Sequence, residues 1–249
     1  MNTFEDLQPT RAVVAGDWHG NSLHAERAIR WAAEHHTNVI LHVGDYGYKF
    51  DPKFMARQQR VLEEEDSVLA FVPGNHEWYD YLDKLEAEHG CTAIPLRPNI
   101  FYLPRNFRWT WNGTSFLALG GAHSVDRPWR RPGREWWARE TITVEEAEQA
   151  IADGPADVMI CHDIPAGVRV PCIEGNPHGF PQAEIYAADL HRARLREVVD
   201  AVQPRRLFAG HYHCRLTAML DGDGYRTQVD ILADDSAPLA ENLTLLDLV

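Results

Sequence analysis

The chain has 249 residues, of which 45% are hydrophobic and 24% charged, and it carries a formal net charge of −13. This composition supplies a sizeable core and excludes a disordered chain, and the length suits one α/β domain spanning residues 1–249. The acidic balance disfavours duplex nucleic acid as a partner, because phosphate backbones attract basic grooves.

Short apolar, β-branched runs at residues 11–15, 39–43 and 68–72 read as buried parallel strands. Between the first two, residues 21–34 read as a helix, with Ser22 as a cap and Leu23, Ala28, Trp31 and Ala32 available for its inner face. Strands are expected again at 100–103, 107–111 and 115–119, and Asn112-Gly113 supplies a tight-turn signal between the last two. Residues 144–151 read as helix, 157–161 as strand, 190–202 as helix and 206–209 as strand. Residues 215–220, 225–231 and 243–248 read as β. Two sheets packed face to face with helices outside would house these elements. Two long irregular stretches remain, 123–139 and 165–184, and loops of that length are uncommon unless they cover a site or are disordered.

No apolar run approaches the roughly 20 residues of a membrane span, and the first ten residues are polar and acidic, unlike a secretory signal. Cys91, Cys161, Cys172 and Cys214 form no CxxC pair and no disulfide framework, so a reduced, cytoplasmic setting is expected.

His, Asp and Asn recur where the apolar strands end: Asp17 and His19, then Asp45, then Asn75 and His76, later His162 with Asp163, and last His211 and His213. In an α/β sheet the carboxyl ends of the strands form the ligand crevice, so these segments should converge. In Asp17-x-His19 and His211-x-His213 the alternation of an extended chain would send both side chains to one side. Carboxylate oxygens with imidazole nitrogens suit Mn²⁺ or Fe first, with Zn²⁺ or Ni²⁺ as alternatives, and suit Ca²⁺ poorly. Two ions need a bridging anion, for which Asp45 is the natural choice.

The ordered segments GDWHG, GD, GNHE, HD and GHYH resemble the calcineurin-like metallophosphoesterase superfamily, over residues 17–213. The resemblance implies a four-layer α/β/β/α sandwich holding two divalent metal ions. Asp17, His19, Asp45 and His213 would hold one ion, and Asp45, Asn75, His162 and His211 the other. His76 would lie beside them as the catalytic residue, binding the phosphate and assisting the leaving group. The chain lacks the Asp-Arg-Gly that follows the second motif in protein serine/threonine phosphatases, and Glu77 stands where many diesterase relatives have Asp.

Outside the motifs, His24, His35, His36, His42, His89, His178 and His191 read as surface or satisfied histidines. Asp163 would orient His162 or cap a helix. Arg127, Arg130, Arg131 and Arg134, interleaved with Trp129, Trp136 and Trp137, read either as a solvated loop anchored by tryptophan or as a cover. As a cover, its arginines would bind phosphate oxygens. Arg127, Arg130, Tyr46 and His123 are thus the candidate substrate contacts. The expected function is metal-dependent hydrolysis of a phosphodiester in a small nucleotide or cyclic nucleotide. A phosphomonoesterase is the alternative enzyme, and a noncatalytic metal-binding scaffold the alternative from another class.

Overall fold

The first strands are apolar on both faces because each is covered twice, once by helices and once by another sheet. The computed structural model describes residues 3–248 and contains twelve strands in two six-stranded sheets. In the first half of the chain these are β1 (Arg11–Ala15), β2 (Val39–His42), β3 (Val68–Phe71), β4 (Ile94–Arg97), β5 (Ile100–Tyr102) and β6 (Arg108–Trp111). The second half supplies β7 (Thr114–Leu119), β8 (Val158–Cys161), β9 (Arg206–Ala209), β10 (Leu216–Asp221), β11 (Arg226–Ile231) and β12 (Leu243–Asp247). The sheet orders are β12-β1-β2-β3-β5-β4 and β10-β11-β9-β8-β7-β6. Within them β1, β2, β3 and β5 run parallel, as do β7, β8, β9 and β11, with antiparallel strands at the margins.

The period-2 alternation of each strand assigns its side chains to layers. Val13, Ala15, Ile40, Leu69 and Phe71 meet helices α1 (Ser22–Glu34), α2 (Pro52–Glu64) and α3 (Tyr79–His89). Ala12, Val14, Leu41 and Ala70 point the other way, into a core between the sheets shared with Trp109, Trp111, Phe116, Ile160 and Phe208. On the far side Leu117, Leu119, Met159 and Leu207 pack under α4 (Val144–Ala152) and α5 (Gln182–Val202). A short helix, α6 (Leu239–Asn242), leads into β12. The layers are therefore α/β/β/α, the expected four-layer sandwich.

Local chemistry starts and stops the helices. Asp51 caps α2 by accepting from the Lys53 and Phe54 amides, both at 3.0 Å, with Pro52 at the first helical position. Thr143 and Glu146 form a capping box on α4. α5 ends at Gln203, which takes the left-handed conformation. The expected α5 began at residue 190, eight residues late. Its first turns carry Gln182, Ile185, Ala188 and Asp189 against a large cavity, not a core, so the apolar periodicity there is weak. Helices α2 and α3 and strand β4 also lay outside the sequence-based expectation. Among the described residues, no helix is long and apolar enough to cross a membrane.

Candidate metal centre

Strands β1, β2, β8 and β9 all end on one rim of the sandwich, and the turns after them carry the motif residues. Asp17, Asp45, Asn75 and His162 are buried, whereas His213 stays exposed. Close backbone approach makes the gathering possible. A Cβ on Gly74 would stand 2.2 Å from Asp45 Oδ1, and one on Gly210 would stand 1.9 Å from Asp17 Oδ1, so neither position admits a side chain. The side chains do not converge by extended alternation, however. His19, Asp45, His211 and His213 all have left-handed backbones, with φ of 46°, 54°, 69° and 52°. The motif spacing marks tight turns, and non-glycine residues held there store strain at the site.

Asp45 sits at the middle. Its Oδ2 is 3.5 Å from His19 Nε2, 3.5 Å from His162 Nε2 and 3.8 Å from His76 Nε2, while its Oδ1 accepts from the His76 amide at 2.9 Å. Asp17 Oδ2 lies 3.6 Å from His213 Nε2. Among the described residues Asp17 Oδ1 is buried without a hydrogen-bond partner, an arrangement that costs free energy unless a proton or a cation meets it. Asn75 donates through Nδ2 to Ser124 Oγ at 3.0 Å, which turns its carbonyl oxygen toward His162 Nε2 and His211 Nδ1, each at 3.0 Å. His162 Nδ1 donates to the Val43 carbonyl at 2.9 Å, so in the neutral ring Nε2 faces the Asn75 oxygen as a bare lone pair. A proton or a metal ion must lie between such atoms. Two ligand atoms each about 2.1 Å from one ion, at right angles, stand about 3 Å apart, which is the separation seen.

Protonation obeys the same crowding. Burial opposes charge on His162 and His19, but the Asp45 carboxylate outweighs it and raises both to about 10. Burial raises Asp17 to about 7 against the pull of His162. Burial also lowers His211 to about 3, leaving a neutral ring. His76 is pushed down to about 4, chiefly by burial and further by Arg130, against the pull of Asp45. Near neutral pH its ring is therefore neutral, and it can offer a hydrogen bond more readily than a free proton.

Four groups of three potential ligands lie together here: Asp17, His19 and His213; His19, Asp45 and His76; Asp17, Asp45 and His162; and His19, Asp234 and Asp235. The last pair was not anticipated. Asp235 Oδ1 accepts from His19 Nδ1 at 2.9 Å, and Asp234 Oδ2 is 3.4 Å from His213 Nδ1, so these carboxylates fix which imidazole nitrogen faces the centre. Their signal was present in the sequence, since they follow the apolar end of β11 as the other motifs follow their strands. Glu77 was noted only as a departure. It is fully buried and accepts from the amides of Gly74, Asp45 and Tyr46 at 2.5, 3.1 and 2.7 Å, joining the second and third motifs.

The candidate substrate contacts separate. Only Arg130 lines the cavity of about 1060 Å³ that opens beside Asp45, Asn75, His76, His211 and His213. Its guanidinium nitrogens lie 3.1 and 3.0 Å from the two His76 ring nitrogens and 2.7 Å from Asp126. Tyr46 corrects the expectation: the left-handed turn at Asp45 sends its ring into the core, 5.0 Å from those of Phe54 and Phe71. His123 and Arg127 both bind Glu184 at 2.7 Å, and Arg127 packs over Trp136, so they brace the loop on α5. Asp163 neither orients His162 nor caps a helix. It accepts from the Tyr212 hydroxyl at 2.5 Å and lies 2.8 Å from His191 Nδ1.

This chain resembles known proteins along most of its length. It is 28% identical over 166 residues to a lariat debranching enzyme of Drosophila melanogaster, a match covering 61% of this chain and 30% of that protein. With the lariat debranching enzyme of Schizosaccharomyces pombe it is 26% identical over 201 residues, covering 73% of this chain and 42% of that one. The chain thus spans less than half the length of the curated relatives it matches. Among solved structures, a Thermus thermophilus protein superposes with a TM-score of 0.56 at 15% identity, over 97% of this chain and 100% of that one. A dimetal phosphatase from Danio rerio gives 0.59 at 10% identity, over 96% and 92%. These likenesses show the fold, and the model of the calcineurin-like phosphoesterase family matches residues 10–215. With that match and the clustered His and Asp side chains at the strand ends, the chain belongs to the calcineurin-like phosphoesterases.

Proposed function

We propose that this protein hydrolyses phosphodiesters of small, nucleotide-sized substrates at a centre holding two divalent metal ions. Asp17, His19, Asp45 and His213 would hold one ion, and Asp45, Asn75, His162 and His211 the other. The donors are all oxygen and imidazole nitrogen, a set that suits Mn²⁺ or Fe. When bound, the pair supplies an activated water and positive charge for the phosphoryl oxygens.

The observation that carries the diester reading is that two depressions border the candidate centre, the second at His19 alone among the proposed ligands. One is the large cavity. The other is a smaller depression of about 320 Å³ at His19, bounded by Tyr48, Lys53, Phe54 and Arg57. A phosphate seated between them has room for an esterifying group on each side, whereas a monoester needs only one. The lariat debranching named in the curated relatives is compatible with this reading.

The remaining residues would position the substrate. Arg130, always charged, presents its guanidinium at the cavity side of His76 and can take a phosphoryl oxygen. His76 donates a ring N–H to the phosphate or the departing oxygen. The cavity's Val168, Val170, Ile173 and Phe180 supply apolar surface for a base-sized group. The experiment is a rate comparison on Mn²⁺-loaded protein with bis(p-nitrophenyl) phosphate, p-nitrophenyl phosphate and a panel of nucleotide diesters. Faster hydrolysis of the diesters supports the reading, and a consistent preference for monoesters replaces it with a phosphomonoesterase.

A further inference from the structure

One wall of the large cavity is a strap, residues 165–181, running from the end of β8 to the start of α5. Ordinary hydrogen bonds anchor its first residues to α5 and brace its far part internally. Near β8, the Ala166 amide donates to the Arg192 carbonyl at 2.9 Å, and the Arg192 guanidinium donates to the Val168 carbonyl at 2.7 Å. Near α5, the Asn176 side chain exchanges two hydrogen bonds with the Phe180 backbone at 2.8 and 2.9 Å.

The middle of the strap is held differently. Its single turn of 3₁₀ helix, Pro171–Ile173, crosses the turn after β9 that carries His211 and His213. Among the described residues, every hydrogen-bond contact between strap and turn comes from one side chain. Cys172 Sγ lies 3.8 Å from the Tyr212 carbonyl oxygen and 2.9 Å from Cys214 Sγ. Both cysteines are free thiols lining the cavity, and Cys172 is exposed. The two sulfurs stand less than about 1 Å beyond disulfide bond length. Neither belongs to any group of three potential metal ligands among the described residues, so the pair is not a built metal site.

We propose that Cys172 and Cys214 form a redox-sensitive dithiol, closed by exchange with a small-molecule disulfide, that ties the strap covalently to the histidine-bearing turn. The accessible Cys172 loses its proton and attacks one sulfur of the oxidant, whose S–S bond breaks and releases one thiol. Cys214 then attacks the Cys172 sulfur and expels the second thiol. Two protein thiols are oxidised to one disulfide while the small disulfide is reduced to two thiols, and both protons leave on the products. The weak contact that sets the strap's middle becomes a bond, so a wall of the cavity is fixed in the oxidised protein and free to shift in the reduced one. This goes beyond the phosphoesterase reading and does not depend on it.

The test uses metal-loaded full-length protein treated with oxidised glutathione, followed by alkylation, peptide mapping and timed trypsin cleavage after Arg169, an exposed strap residue. The expected product is a Cys172–Cys214 cross-linked peptide, lighter by two hydrogen atoms and reopened by dithiothreitol, with Cys91 and Cys161 still alkylated after denaturation. Cleavage after Arg169 should slow by about tenfold or more on oxidation, because a pinned strap opens less often. Cys172→Ser should show neither change, and Cys214→Ser should stop at a glutathione adduct on Cys172. The proposal is overturned if glutathione remains on Cys172 of the unsubstituted protein while Cys214 is still alkylated. Cross-linking that leaves cleavage after Arg169 unchanged also overturns it.

Discussion

The Tyr212 hydroxyl donates to Asp163 at 2.5 Å, and this one bond joins the segment after His162 to the turn between His211 and His213. Asp163 is buried and also held by His191 of α5, so its carboxyl lies below the usual range: burial opposes ionisation, and the His191 hydrogen bond outweighs it. Three imidazoles of the candidate centre, His162, His211 and His213, are thus spaced by a carboxylate that belongs to none of the groups of potential metal ligands among the described residues.

Tyr212→Phe should therefore keep the fold and weaken metal binding by about tenfold to 100-fold, the usual effect of losing a group that orients ligands. Metal titration measures it. Unchanged affinity for both equivalents would leave Tyr212 as a cavity wall only.

Arg130 and Arg127 stand close in sequence and should behave oppositely. Arg130→Ala removes a permanent charge beside His76 and should lower turnover by roughly 100-fold, as loss of one transition-state donor does, with metal content retained. Arg127 is about half exposed and bound to Glu184, so Arg127→Ala should cost at most about 1 kcal/mol of stability and little rate. Steady-state kinetics with metal analysis on both variants checks the division, and equal loss of rate in both would contradict it.

Glu77→Gln replaces a carboxylate that accepts from four backbone amides, those of Gly74, Asp45, Tyr46 and Gly47, with one acceptor and a misplaced donor group. The loss should be about 2 to 3 kcal/mol, the penalty for leaving buried amides unpaired. Thermal or urea unfolding of the metal-free protein reads it directly, because no metal then compensates.

Much of this was legible because strand ends announce themselves: an apolar run followed by Gly-Asp or Gly-Asn-His gave both the sheet positions and the ligand candidates. Asp234 and Asp235 also follow an apolar strand end, Ile231-Leu232-Ala233, but without the glycine and beyond the last motif. The direction of Tyr46 could not be read, since alternation fails where Asp45 takes φ of 54°. Nor could the bracing role of His123 and Arg127, because their partner Glu184 lies on α5, far along the chain and at the edge of a stretch without apolar periodicity. Burial inside a four-layer sandwich depends on which loop meets which helix, and local spacing does not carry that.

The protonation state of the centre gives a pH prediction. In the metal-free fold His19 and His162 are raised to about 10, above the unfolded value near 6.5. The stability they contribute is fully present below that unfolded value and is lost as pH rises through the folded one. A metal ion takes the protons' place, so its affinity should rise over the same interval as the competing protons leave. The gap in unfolding temperature between Mn²⁺-loaded and metal-free protein should therefore widen from pH 7 to pH 9. A gap that stays constant or narrows contradicts this protonation scheme.

The central claim is that one carboxylate, Asp45, serves two ions. Its most direct test is elemental analysis of protein reconstituted with Mn²⁺ or Fe²⁺ and freed of loosely bound metal, set beside the same measurement on Asp45→Ala. The account predicts two equivalents per chain in the unsubstituted protein and loss from both sites together in the variant. Binding that saturates at one equivalent with every ligand intact, or an Asp45→Ala protein that still holds two, would contradict it.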